Sequence, residues 1–133
     1  MTPHIVPVYA AILAIVFVVL SVRTVRLRRS LKIAIGDAGN QEMLRAMRVH
    51  SNFAEYVPLS LLLIYFVEAS GAWTWLTHLL CLVLLVGRGV HAYGVSQVRE
   101  SYRFREAGMA MTFTALLVSS AYLLVVCGVR IGT

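Results

Sequence analysis

Cysteine and acidic side chains are both scarce in this chain, and each scarcity narrows what it can be. The two cysteines, Cys81 and Cys127, stand far apart inside apolar stretches. They form no paired motif, so neither a metal-binding nor a redox cysteine pair is expected, and each reads as a small hydrophobe. His50 and His78 have no second ligand at metal spacing, which leaves no metal site. A glycine-rich phosphate loop and a serine or cysteine nucleophile motif are also missing, as are internal repeats, low-complexity tracts and soluble linkers. Six acidic residues face twelve basic ones, for a net charge of +6.

What is present in excess is apolar surface. Of the 133 residues 59% are hydrophobic, too many for a soluble domain of this size, and the mean hydropathy is +0.80. Stretches 5–22, 72–86 and 107–129 carry no charge, and 53–67 carries only Glu55. A helix needs roughly 20 residues to cross a hydrocarbon core about 30 Å thick. The first and fourth stretches approach or meet that length, and the other two meet it with helical flanks. The pattern predicts an all-α membrane protein with helices near 6–29, 41–69, 73–98 and 106–129, in one membrane domain covering 1–133. The first stretch reads as a retained helix, not a signal peptide, because Met1-Thr2-Pro3-His4 lacks basic residues and the positive charges follow the apolar run.

The basic residues are not spread as a nucleic-acid footprint. Arg23, Arg26, Arg28, Arg29, Lys32, Arg45 and Arg48 surround the first connection, and Arg88, Arg99, Arg103 and Arg105 the third; only Arg130 belongs to the other side. The positive-inside rule then puts both connections in the cytoplasm and both termini outside it. Part of this charge, Arg23, Arg26 and Arg29 above all, reads as contact with anionic lipid headgroups.

Local signals organise the connections. Gly36 and Gly39 suit turns, and Asn40 is an expected N-cap for helix two, with Glu42 in its first turn. Helix two, at ~1.5 Å per residue, runs to about 43 Å and must project or tilt at its start. Pro58 inside it either kinks the helix and widens a cavity near Glu55 or is tolerated curvature. Trp73 and Trp75 read as interfacial anchors, and Gly87, Gly89 and Gly94 as positions where a neighbour can approach helix three.

Arg48, Asn52 and Glu55 are the chemical lead. Spaced by four and then three, they form one stripe on a helix. Charge carried into a bilayer costs several kcal/mol and usually serves a task. The stripe is either an internal ion pair stitching helices together or a holder of a zwitterionic ligand: Glu55 for an ammonium, Arg48 for a carboxylate, Asn52 for either kind of partner. Arg88, after nineteen uncharged residues, reads as internal, a partner of Glu55 or of a ligand. His91 and Tyr93 follow within a turn of it and either contact a ligand or join an interfacial belt. Arg103 and Arg105 either touch headgroups or stabilise a thiolate by their charge.

The run Arg45-Ala46-Met47-Arg48-Val49-His50-Ser51-Asn52-Phe53-Ala54-Glu55-Tyr56-Val57-Pro58-Leu59 resembles the hallmark helix of the MAPEG family, the membrane-associated proteins in eicosanoid and glutathione metabolism. The segment from Gly87-Arg88 to Gly94 is similar to the family's third helix, and the Gly36-Asp37 turn and short chain look most like its bacterial inner-membrane branch. The resemblance implies a homotrimer of four-transmembrane-helix bundles in the inner (plasma) membrane, with glutathione as co-substrate between subunits near the cytoplasmic face. It implies glutathione contacts from Arg48, Asn52, Glu55 and Tyr56, helped by Arg28 and Arg88. Arg103 looks like the thiolate-stabilising arginine, with Arg105 as the alternative. The implied reaction is attack of the glutathione thiolate on a lipophilic electrophile or a peroxide. The chain departs from eicosanoid-type members at His91 and Val95, where they carry tyrosines, which counts against an eicosanoid substrate. Two rivals stand beside this reading: a non-catalytic lipid-binding protein of the same fold, and a small efflux transporter built on an intramembrane glutamate.

Overall fold

The computed structural model describes residues 3–97, 99 and 101–131, with the side chains of 130 and 131 left aside. It contains four helices, α1 (Ile5–Ser30), α2 (Gln41–Ala69), α3 (Thr74–Ser96) and α4 (Tyr102–Ile131), and no strand among the described residues. All four are long and apolar enough to cross a membrane. The many Val and Ile side chains of α1 would favour a strand in water, but hydrocarbon offers backbone groups no partner and enforces internal hydrogen bonding.

The helix ends are closed by specific groups. At the end of α1, Lys32 takes a left-handed φ of 54°. Its N–H donates to the Arg29 carbonyl at 3.2 Å and that of Ile33 to Arg28 at 3.0 Å, the pattern of a Schellman cap. The Arg28 guanidinium then donates to the carbonyls of Ile33 (3.3 Å) and Gly36 (3.0 Å), pinning the connection. Asn40 caps α2, its Oδ1 accepting from the Met43 N–H at 2.9 Å. Gly71, at φ 87°, closes α2 with a second Schellman cap, Gly71 N–H to Glu68 and Ala72 N–H to Val67.

The start of α1 has no cap of its own, and α2 supplies one. The Glu68 carboxylate accepts from the backbone N–H groups of His4 and Ile5, each at 2.7 Å, and Val6 at 2.9 Å. A carboxylate there satisfies orphan donors and meets the positive end of the helix dipole. The apolar pattern of α2 hides this residue, which follows Val67 directly.

The closest pairing is α3 on α4. A β-carbon at Gly108 would lie 2.6 Å from the Gly87 carbonyl oxygen and 2.6 Å from the His91 nitrogen. At Gly94 it would meet the Arg105 nitrogen at 2.9 Å. Gly89, expected at this contact, has nothing within 4 Å and faces outward. Helix α4 also begins at Tyr102, earlier than the expected 106, because its first turn packs on α3: Phe104 meets the Tyr93 ring edge-on at 5.5 Å and backs Gly94. Helix α3 ends at Ser96, where Gln97 turns extended (ψ 129°); Val98, its expected last residue, lies outside the described residues.

The core is a seam of Leu13, Val49, Phe53, Val57, Ile64, Val67, Cys81, Leu84 and Ala115. Ser21 of α1 joins His50 of α2 at 2.9 Å, with Phe17 stacked on the imidazole at 4.8 Å.

Candidate functional site

The basic residues of the first and third connections meet at one end of the bundle, where α1 and α3 finish and α2 and α4 begin; this is termed the basic end. A cleft of about 420 Å³ opens there between α2 and α3, reached by the first turn of α4. Arg48, Asn52 and Glu55 line its α2 wall together, as their spacing requires. That wall continues through Gln41, Leu44, Arg45 and Ser51, and the far side is His91 and Val95 of α3 with Arg105 of α4.

The α2 lining was readable one step further than the motif suggests. Positions 41, 45, 48, 52 and 55 keep the spacing of four and three, so extending the stripe toward the N-terminus finds Gln41 and Arg45. On α3 the same rule joins 88, 91 and 95. Arg45 also ties the walls together, donating to the Val95 carbonyl at 3.2 Å.

The structure selects among the readings of the stripe. Arg48 and Glu55 are exposed, and neither side chain has a hydrogen-bond or ion-pair partner among the described residues. The internal ion pair is therefore absent within one chain, and Glu55 does not pair with Arg88. A carboxylate displayed inside a membrane-spanning helix without a partner asks for a cation or donor from outside the chain.

Beneath the cleft lies Arg88, only 2% exposed. Its Nη1 donates to the Asn52 Oδ1 at 2.9 Å and reaches the Asn52 carbonyl at 3.5 Å. Its Nη2 lies 3.7 Å from the Met109 sulfur, and its Cζ stands 5.9 Å from the Tyr56 ring centroid. Tyr56 is half-buried beside it and meets Phe113 edge-on at 5.7 Å. Arg88 and Tyr56 form the floor and do not line the opening.

Three expected residues lie elsewhere in this chain. Arg28 is engaged by the first connection and by the Met47 sulfur at 3.5 Å. Tyr93 is 57% exposed and packs on Phe104. Arg103 is exposed in the first turn of α4, whereas Arg105 reaches the cleft. Pro58 likewise faces away from the polar cleft, into an apolar groove of about 290 Å³ with Leu13, Phe17, Phe53 and Val57.

Four apolar helices with a polar cleft cut into one end define a small integral membrane protein. The profile of the MAPEG family matches residues 6–125, and the chain belongs to that family. Inner membrane protein YecN of Escherichia coli (strain K12) is 40% identical over 110 residues, spanning 83% of this chain and 82% of that one. YecN of E. coli O6:H1 (strain CFT073) matches to the same extent. No solved structure matches the chain. The family includes glutathione-dependent enzymes.

Proposed function

We propose that this protein is an inner-membrane glutathione transferase or peroxidase, a trimer with its basic end in the cytoplasm. The observation that carries this reading is the lining of the cleft. One carboxylate, Glu55, stands among Arg48, Arg105 and Asn52, all on the edge of an apolar bundle. That pattern suits a peptide with one ammonium and several carboxylate and carbonyl oxygens. Glu55 takes the ammonium and Arg48 a carboxylate in a forked pair. The family's presence of glutathione-dependent members supports the choice of peptide.

A guanidinium beside the peptide's sulfur favours the thiolate over the thiol. The thiolate sulfur forms a bond to an electrophilic carbon while the leaving group departs with the electron pair. With a hydroperoxide, sulfur attacks the terminal oxygen to give a sulfenic acid while the other oxygen leaves as alkoxide and is protonated; the thiol of a second glutathione then attacks that sulfur and expels its hydroxyl as water, leaving the disulfide. The arginines that open α4 are the stabilisers: Arg103 by family resemblance, Arg105 by its place in the cleft.

The test is a glutathione titration of the detergent-purified protein, following thiolate absorbance in the ultraviolet beside calorimetric binding. A saturable thiolate signal is expected, lost in the Arg103→Ala/Arg105→Ala double variant while binding persists; the single variants rank the two. Binding without thiolate in the parent protein would remove the catalytic reading. No binding at all would leave the non-catalytic lipid-binding reading in its place.

A further inference from the structure

We infer that Arg88 is a positioning residue that locks the Asn52 side-chain amide, so that Asn52 meets its ligand only as a hydrogen-bond donor. The inference rests on the peptide-binding reading of the cleft and deepens it.

A guanidinium has donors and no acceptor, so the atom it holds at 2.9 Å must be the amide oxygen of Asn52. The reversed amide would set an NH₂ against N–H donors. Arg88 itself is held on all sides: it is 2% exposed, its second arm rests on the Met109 sulfur, and the Tyr56 ring lies beside it. It has no room to follow a rotating Asn52. With Oδ1 fixed inward, the Nδ2 of Asn52 is on the cleft side, where Asn52 contributes to the lining. Nδ2 has no hydrogen bond among the described residues, and it is not one of the buried polar atoms left unsatisfied. It is therefore open to a ligand.

The consequence is a charge and donor code for the site. Arg48, Asn52 and Arg105 present only donors, and Glu55 is the acidic acceptor on the same wall. Asn52 then reads an oxygen of the ligand, a carboxylate or peptide carbonyl, and never an ammonium or amide N–H. The α2 stripe alone left both roles open.

The arrangement also leaves Arg88 as a cation whose contacts among the described residues are all neutral, and its buried Nε has no hydrogen-bond partner. A buried charge without a counter-charge is costly. That cost makes the following test two-sided. Asn52→Asp keeps an oxygen on Arg88 and supplies the missing negative charge, while the second oxygen replaces the NH₂ that faces the ligand. The melting temperature in detergent should rise by about a few degrees, and glutathione affinity should fall by about tenfold or more, the worth of one hydrogen bond to a charged group. A lower melting temperature would show that Arg88 does not hold Asn52. Retained or tighter binding of glutathione would show that Asn52 offers its oxygen to the ligand, and would overturn the assignment.

Arg88→Met gives the second arm. It keeps the volume of the side chain and frees the amide to rotate, so KM for glutathione rises while kcat at saturating glutathione is kept. A fall in kcat with KM unchanged would overturn a positioning role. If the parent protein binds no glutathione, the proposed function fails by itself; the lock is then decided by the melting temperature of Asn52→Asp.

Discussion

Helix α2 carries two carboxylates into the membrane region, one at its middle and one at its end, and they are treated in opposite ways. Glu68, near the end away from the arginines, accepts three backbone N–H bonds from the start of α1 and so finishes a helix that lacks its own cap. Glu55, toward the basic end, is exposed and makes no side-chain bond among the described residues. The same chemical group is structural where the chain satisfies it and available for binding where the chain does not. The contrast extends to the surroundings. The turn that follows Glu68 leads into the stacked Trp73–Trp75 pair, ordinary furniture of a membrane interface. Around Glu55 stand arginines and an amide aimed at a cleft.

The sharpest way to break this comparison is to separate α3 from α4. Gly108→Ala drives a methyl against the Gly87 carbonyl and the His91 backbone, and no flexible side chain can yield there. It should cost about 2 kcal/mol or more, read as a fall in thermal stability and loss of the cleft. Gly89→Ala, two positions from a clash on the same helix, meets nothing and should stay within about 0.5 kcal/mol. Equal effects would mean that the α3–α4 contact is set otherwise.

Next in size is Glu68→Ala, which strips three acceptor bonds from the start of α1. Loss of a charged acceptor at a helix N-terminus should cost about 1–3 kcal/mol, with glutathione affinity unchanged because the site is at the other end. A parallel loss of affinity would couple the two ends and refute their separation. The smallest stability effect belongs to Glu55→Gln. No bond among the described residues is lost, so the unfolding free energy should hold within about 0.5 kcal/mol, while glutathione affinity falls by about tenfold, the loss of one charged hydrogen bond. Destabilisation by Glu55→Gln would return Glu55 to a structural role.

Much of the site was legible before any coordinates. A 3.6-residue repeat is a local property, so Arg48, Asn52 and Glu55 had to share a face wherever α2 went, and the same arithmetic brings in Gln41 and Arg45. Asn40 was recognisable as a cap because capping involves neighbours three residues away. What escaped was everything that depends on how one helix is rotated against another. Glu68 serves residues more than sixty positions earlier, and no local pattern announces that. Gly87 and Gly94 face α4 while Gly89, only two residues from Gly87, faces out, a choice that the glycine spacing cannot assign.

The sequence by itself determined four apolar helices, their basic flanks and the polar stripe, because bilayer thickness and helical period act on each segment separately. Only the tertiary structure decided that Arg105 and not Arg103 reaches the cleft of this chain, that Pro58 faces an apolar groove, and that Arg88 grips Asn52 from below. Each of these depends on how one helix is rotated against its neighbour: Pro58 on the packing of α2 against α1, Arg105 and Arg88 on the close seating of α3 and α4 through three glycines, contacts that exist only once the helices meet.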